Sequence, residues 1–154
     1  MLETAKSRIS NKHVSFVCGD VTNTNYKANE FDAVTGTDII HHLENPAAAM
    51  AEWLRITKVG GKLVFLETNA LNPLIFLNIG VEHEVRCFLN TPGNLEKWLN
   101  DAGWGNVKVS PSKSFTPSGP KWLSPVLNVI DSIAWKIPYL RSISAQWLLT
   151  AEKK

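Results

Sequence analysis

Short apolar runs alternate with amphipathic stretches in the first half of the chain, and this alternation predicts an α/β fold. The runs at 13–18, 31–34 and 62–66 predict buried strands. A helix is predicted over 47–57, because Asn45-Pro46 suits a helix start and Gly60-Gly61 stops it. The almost continuous apolar run at 62–66 is typical of a parallel strand that is covered on both faces. Strand, helix and strand in this order indicate a crossover unit.

The second half continues with a helix and two further strands. The helix is predicted over 92–102, where Leu95, Trp98 and Leu99 share one face, and the strands over 107–109 and 146–150. The segment between those strands is mostly apolar, and we expect a helical insertion there, at about 117–142 of a single domain that covers 1–154. Packing against the sheet is the simplest interpretation of this insertion. A lid over an apolar acceptor is the alternative, and an exposed apolar face would mark a membrane or partner surface.

Composition excludes several classes of function. The chain has 154 residues with 16 basic and 14 acidic side chains, a net charge of +2, and its aromatic residues are not interleaved with basic clusters. We therefore do not expect a nucleic-acid partner. Cys18 and Cys87 form no CxxC pair, which predicts a reduced, cytoplasmic setting. No apolar run reaches the roughly 18 residues that span a bilayer, so we expect no membrane contact.

The carboxyl ends of the three predicted strands carry the candidate ligand-binding groups. Parallel strands end at one edge of a sheet, where open α/β sheets bind ligands. The segments 19–21, 35–38 and 67–69 each hold an acidic group beside small polar or glycine residues, which suits hydroxyls and amines. Neither GxGxxG nor GxxxxGK[ST] occurs, so the sequence predicts no phosphate cradle.

Five features in order resemble the class I S-adenosylmethionine-dependent methyltransferases that act on small molecules. The resemblance extends from residue 1 to about 105, with a closing strand at 146–150. Its features are the Gly-Asp that ends the first run, the strand at 31–34, His41-His42-Leu43 with Asn45-Pro46, the run 52–63, and 67–69 with Asn72-Pro73. It implies a Rossmann-like sheet, incomplete at the N-terminus and mostly parallel, with an antiparallel C-terminal strand.

The resemblance also implies a role for each matching position. S-adenosylmethionine is the implied cofactor, with Asp20 and Val21 beside the adenine and Gly36 and Thr37 beside the methionine part. His41 and His42 are the implied catalytic residues, which border the site of methyl transfer. The acceptor pocket would be lined by Glu67, Asn69, Asn72 and His83.

Simpler interpretations remain open for the same residues. The two histidines could be a pair at the start of a helix that bonds only to local backbone. Asp20 could cap a strand end, and the stretch from Glu67 to Asn72 could be an ordinary turn. A metal site at His41 with Glu44, or at 82–84, lacks further ligands at suitable spacing, so no metal is expected.

One part of the family pattern is missing from these residues. The family holds the cofactor's ribose and carboxypropyl groups with a glycine-rich turn after its first strand and an acidic residue after its second. Only 12 residues precede the first predicted strand here, whereas a βαβ unit needs about 30. The connection at 19–30 is too short for a parallel crossover, so the strands at 13–18 and 31–34 are not expected to be neighbours.

These considerations lead to one main hypothesis and two alternatives. We expect methyl transfer to a small molecule, an apolar one being compatible, by a chain that is a truncated form, with a partner or oligomer completing the sheet. The alternatives are a non-catalytic remnant or interaction module of the fold, and another nucleotide-dependent α/β enzyme.

Overall fold

The described residues form a four-stranded sheet, and two helices, over 46–56 and 92–101, pack against one of its faces. The computed structural model describes residues 2–9, 11, 13–73, 88–112, 122 and 124–154, so His83 and Cys87 lie outside the described residues. The elements in chain order are α1 (Leu2–Arg8), β1 (Phe31–Thr37), a 3₁₀ helix (Ile40–His42), α2 (Pro46–Ile56), β2 (Thr57–Thr68), α3 (Pro92–Asp101), β3 (Gly105–Pro111), α4 (Ser124–Ala134), α5 (Pro138–Arg141) and β4 (Gln146–Glu152).

The two helices that cover the sheet begin at polar caps. The side chain of Asn45 accepts a hydrogen bond from the backbone N–H of Ala48, and Thr91 does the same for Asn94. Each cap is followed by a proline, whose missing N–H is harmless in the first helical turn. These caps place α2 and α3 within one or two residues of the helices predicted from the sequence.

The strand order is β1-β2-β4-β3, and β4 is the reversed strand. β1 pairs with β2 in parallel, with Gly36 opposite Phe65 and Thr37 opposite Leu66. β4 pairs antiparallel with both β2 and β3, so the other three strands share one direction. The predicted α/β fold class, with a mostly parallel sheet and an antiparallel C-terminal strand, is confirmed.

The core lies between one face of the sheet and the helices α2 and α3. Phe65 of β2 stacks on Trp53 of α2 with ring centroids 4.5 Å apart. Other buried members of this core are Met50, Leu63, Leu95, Leu99, Trp147 and Leu149. The opposite face of β2 is open in the described residues, because Val64 is 40% exposed and Lys62 is also exposed. The expectation that this strand is covered on both faces is therefore not met there.

Residues 14–20 run outside the sheet that the described residues form. A strand needs a neighbour for its backbone groups, and a local apolar pattern alone does not provide one. The chain that follows is fixed to α2 instead, since the backbone N–H and the hydroxyl of Thr24 both donate to Oε1 of Glu52. β1 is thus an edge strand of the described sheet, and no pairing joins it to 14–18.

The segment between β3 and β4 contains the helices α4 and α5. The predicted insertion thus has helical structure over 124–134 and 138–141. Within the described ranges, no helix is long and apolar enough to pass through a bilayer.

Candidate active site

The site begins at a turn that follows β1. Because β1 and β2 are parallel, their carboxyl ends lie side by side, and the backbone N–H of Asp38 donates to the carbonyl of Leu66 over 2.8 Å. Asp38 has a φ of 51°, and its carboxylate accepts from the hydroxyl of Thr68 at 2.7 Å and from Nε2 of Gln146 at 3.3 Å. β2 and β4 together therefore hold this turn in its left-handed conformation.

Glu67 is the buried centre of the site, with an exposed fraction of 0%. Its Oε1 atom accepts from the backbone N–H groups of Ile39 and Ile40, each at 2.9 Å. Its Oε2 atom accepts from Nδ2 of Asn90 at 3.1 Å and lies 3.1 Å from Nδ1 of His41. The carboxylate therefore satisfies the start of the 3₁₀ helix and fixes the histidine ring at the same time.

The hydrogen bond between His41 and Glu67 sets the tautomer of the imidazole. A carboxylate oxygen only accepts, so Nδ1 of His41 carries the proton and donates it. In the neutral ring Nε2 is then the basic nitrogen. This is the arrangement in which a histidine can take up a proton from a bound molecule.

A pocket of about 360 Å³ opens beside this pair. Most of its walls are apolar, and its two buried polar side chains, His41 and Asn90, are both bonded to Glu67. The lining residues are Ile40, His41, Leu43, Glu44, Pro46, Leu89, Asn90 and Trp98. An apolar cavity with a few oriented polar groups is typical of a small-molecule site.

His42 occupies a different environment from its neighbour. Its side chain is exposed, whereas His41 is only 5% exposed. The two rings lie 4.1 Å apart at a tilt of 46°. His41 therefore lines the pocket, whereas His42 is exposed to solvent and does not line it.

Asp38, His41 and Glu67 also place three potential metal-ligand atoms within 4.8 Å of one another. Each of their four carboxylate oxygens already accepts a hydrogen bond from an N–H or O–H donor. A cation there would have to displace those donors. Hydrogen bonding is therefore the simpler account of this cluster.

Asp20 borders a second pocket, of about 240 Å³, which is lined by 17–21 and 23–26. Its Oδ1 atom accepts from the backbone N–H of Thr22 at 2.8 Å and from the Thr22 hydroxyl at 2.7 Å. These hydrogen bonds, the backbone one first, lower the pKa of the Asp20 carboxyl. Val21 packs against the core. The two pockets share no lining residue.

Gly36 has a packing role that the sequence did not reveal. A Cβ atom at this position would lie 2.4 Å from Cε1 of Phe65, whose ring is held against Trp53. Close approach of β1 to the core therefore requires a glycine. Thr37 follows it on β1 and is exposed.

Asn69 and Asn72 are both buried, and they tie the end of β2 to the segment before β4. Nδ2 of Asn69 donates to the carbonyls of Ser142 and Ser144 at 3.2 and 2.9 Å. Nδ2 of Asn72 donates to the carbonyl of Ile143 at 2.7 Å. These amides hold 142–144 against the site, as structural side chains do.

Asn90 was not recognised as a candidate from the sequence. It immediately precedes the capping residue of α3, and nothing in its neighbourhood indicates a contact with Glu67 23 positions earlier. Only the folded arrangement of α3 beside the end of β2 reveals it.

Comparisons with known proteins match this chain to methyltransferases, in sequence and in fold. Residues 1–65 match the family described as "Methyltransferase domain". The chain is 30% identical over 130 residues to a demethylmenaquinone methyltransferase of Renibacterium salmoninarum, covering 70% of this chain and 54% of that protein. It is 35% identical over 86 residues to a ubiquinone biosynthesis O-methyltransferase of Pseudomonas paraeruginosa, covering 48% of this chain and 36% of that protein. The chain thus spans about half the length, or less, of the curated relatives that it matches.

Solved structures show the same architecture. An S-adenosylmethionine-dependent methyltransferase from Thermotoga maritima superposes with a TM-score of 0.68 at 19% identity, covering 100% of this chain and 69% of the other. One from Mesorhizobium loti gives a TM-score of 0.66 at 13% identity, covering 99% and 76%. The family match, the methyltransferase relatives and the shared fold all support a class I S-adenosylmethionine-dependent methyltransferase.

Proposed function

We propose that these residues form the catalytic, acceptor-binding part of an enzyme that transfers a methyl group from S-adenosylmethionine to a hydroxyl-bearing small molecule. The observation that carries this proposal is the buried hydrogen bond between Glu67 and His41 at the wall of the 360 Å³ pocket. It supplies an oriented base beside a cavity of suitable size.

The acceptor that best suits the pocket is a quinol-type ring. Leu43, Leu89 and Trp98 provide apolar walls, while His41 and Asn90 provide polar groups for a ring hydroxyl. The names of the relatives, demethylmenaquinone methyltransferase and ubiquinone biosynthesis O-methyltransferase, support the same chemical class. Specificity then comes from how a flat ring fits between the aliphatic wall and the indole.

The cofactor would be held in part by groups at the ends of the strands. Asp20 has an exposed carboxylate with a lowered pKa, so it is ionised at neutral pH and can accept from the exocyclic amine of adenine. Val21 would offer its backbone N–H to the adenine ring, and Gly36 and Thr37 would lie beside the methionine part. A glycine-rich turn is absent from the sequence, so we propose that residues outside these 154 complete the cofactor site at the free edge of β1. The exposed thiol of Cys18 suits a reduced, cytoplasmic setting.

The cofactor supplies a methyl carbon bonded to a positively charged sulfur, which is a good leaving group. His41 takes the hydroxyl proton of the acceptor at Nε2, and Glu67 stabilises the resulting positive charge at Nδ1. With S-adenosylmethionine bound, its methyl group would pass to the acceptor oxygen, and the sulfur would leave as a neutral thioether that keeps the electron pair of the broken carbon–sulfur bond. Asn90 helps to hold Glu67 in place through its own hydrogen bond. Alignment of oxygen, carbon and sulfur provides much of the rate.

The two histidines offer a matched pair of variants for testing this role. In a form of the protein that binds S-adenosylmethionine by calorimetry, His41→Gln should lower kcat by about 10²- to 10⁴-fold with a small effect on the cofactor Kd. His42→Gln, at the exposed neighbour, should retain most of the activity. Full activity of the His41 variant would refute the proposal.

A further inference from the structure

The helix α4 presents its apolar side to solvent. Its outer face consists of Val126, Val129, Ile130 and Ile133, which are 55%, 58%, 42% and 57% exposed. We propose that this outer face, with the residues that flank it, docks on the surface of an anionic phospholipid bilayer.

Most of the large apolar side chains of α4 are exposed, unlike those of an ordinary surface helix. The outer face follows the spacing i, i+3, i+4, i+7, which places its four side chains in one stripe. The inward side bears Leu127 and Asp131, which are half-buried, and Ala134, which is 5% exposed. An exposed apolar stripe of this kind marks a surface that contacts a partner or a membrane.

The exposed apolar groups of the chain are concentrated around this helix. Of the fifteen large hydrophobic side chains that are exposed among the described residues, seven lie within 122–139. Two of the seven are Trp122 and Tyr139, 79% and 76% exposed, at either end of the segment. Rings with one polar group are enriched where a bilayer meets water, since one end is apolar and the other hydrated.

The charges of the segment complement an anionic lipid surface. Lys136 and Arg141 follow the helix and are both exposed, while Asp131 is half-buried on the inner side. The Arg141 guanidinium lies 5.3 Å from the ring centroid of Trp135, next to the interfacial region. Exposed cations beside an exposed apolar stripe are typical of helices that lie in the plane of a membrane surface.

A second copy of the chain is a less suitable occupant. A stable interface with a second copy buries about 800 Å² of complementary surface on each partner. A bilayer requires no complementary shape and accepts a narrow stripe. The described helices are too short to span it, so α4 would lie flat on the surface.

The segment that follows α5, eight residues beyond the end of α4, lies next to the candidate active site. The carbonyls of Ser142 and Ser144, just after α5, accept from Asn69, which is two residues beyond Glu67. An apolar acceptor dissolved in lipid would therefore enter near the pocket. Only this consequence depends on the proposed function; the docking itself does not. The sequence-based expectation of no membrane contact rested on the lack of a spanning segment, which does not address surface binding.

The test is co-sedimentation of the protein with phosphatidylcholine vesicles that contain or lack phosphatidylglycerol, without cofactor or acceptor. We expect binding to the anionic vesicles together with a blue shift of tryptophan emission. The double substitution Val129→Ser with Ile133→Ser should weaken binding by more than about tenfold. Lys136→Glu should weaken it by about tenfold at low salt.

Val59→Ser is the matched control, because Val59 is 72% exposed and lies on β2. It should bind vesicles like the unchanged protein, and unchanged circular dichroism should show that every variant is folded. Equal vesicle binding by the double variant, or no binding by the unchanged protein, overturns the proposal. A lipid-free dimer in light scattering that the double variant abolishes would assign the face to a second copy instead. Because no methyl transfer is measured, these outcomes are independent of the proposed function.

Discussion

The Nδ1 atom of His41 lies 3.1 Å from Oε2 of Glu67, and both side chains are buried. The two residues are 26 positions apart, and the parallel pairing of β1 with β2 brings them together. Glu67 also accepts from two backbone N–H groups and from Asn90. The carboxylate therefore caps the start of the 3₁₀ helix and also holds the imidazole ring of His41 by a hydrogen bond.

Glu67→Gln should destabilise the fold by about 1–3 kcal/mol, because the new NH₂ group must face two of the four donors that the carboxylate now satisfies. Urea denaturation would measure this loss. Glu44→Gln, at an exposed position on the same pocket, should change the stability by less than about 0.5 kcal/mol. Equal stability of the two variants would contradict the assignment of Glu67 as the buried centre.

Gly36→Ala should destabilise the protein by about 1–3 kcal/mol, because the added methyl group would meet the fixed ring of Phe65 at 2.4 Å. Adding Phe65→Leu should make the Gly36 substitution less costly, which a double-mutant cycle would detect. Gly19→Ala is the control, because no described atom lies within 4 Å of a Cβ at that position. If the effects of the two substitutions on stability were simply additive, the Phe65 ring would not be the reason for a glycine at position 36.

The free energy of unfolding should depend on pH through the ionisation of Glu52. Hydrogen bonds from Arg55, and then from Thr24, lower the pKa of Glu52 to about 2, against 4.5 as its ordinary value. A lowered pKa contributes stability that is fully present above about pH 4.5 and is lost as the pH falls towards 2. Glu52→Gln should therefore cost about 2 kcal/mol at pH 7, and the cost should shrink through that window.

Denaturant unfolding at several pH values would measure this dependence. Glu96→Gln, at an exposed position on α3, should give a difference from the unchanged protein that stays constant over the same range. A Glu52 variant with a constant difference would show that Arg55 and Thr24 do not stabilise the ionised carboxylate.

Asn69→Ala should loosen the segment before β4. The carbonyl of Ser144 would lose its 2.9 Å hydrogen bond inside the protein, at a cost of about 1–3 kcal/mol. Hydrogen exchange should become faster over 142–146 and stay unchanged in α2. Asn100→Ala removes an exposed side-chain bond to the Glu96 carbonyl and should leave that segment unaffected.

Asp20→Ala should weaken S-adenosylmethionine binding by about tenfold or more in a form of the protein that binds the cofactor. Calorimetry would give the Kd, and a melting curve would separate this effect from loss of the local turn at Thr22. Asp32→Ala is the control, since Asp32 is exposed on β1 and pairs with Lys58. Unchanged affinity would remove Asp20 from the cofactor site.

The elements that depend on local signals could be predicted from the sequence. Asn45-Pro46 predicted the start of α2 to within one residue, because a helix cap depends only on residues close together in the sequence. The segment 14–18 had an equally strong strand pattern but does not pair, because pairing depends on a neighbour that local sequence does not encode. β2 begins five residues before the predicted strand, since Thr57 already pairs with Phe31.

The same limit applies to the candidate site. The rule for parallel strands predicted that the ends of β1 and β2 meet, and Gly36 and Glu67 do lie on neighbouring strands. The contact of Asn90 with Glu67, and the side of α4 that faces outward, depend on tertiary packing. Periodicity shows that a helix has an apolar side but not where that side points.

The turn at Asp38 depends on a partner far along the chain. Gln146 of β4 donates to Asp38 across 108 positions, and Asp38 leads directly into the residues that Glu67 caps. During synthesis, β1 and β2 can emerge from the ribosome and pair while this corner still lacks one of its supports. The candidate site therefore gains this support only after β4 has been made, and a ribosome-bound nascent chain that lacks β4 would have paired β1 and β2 strands with the Asp38 turn held by fewer hydrogen bonds.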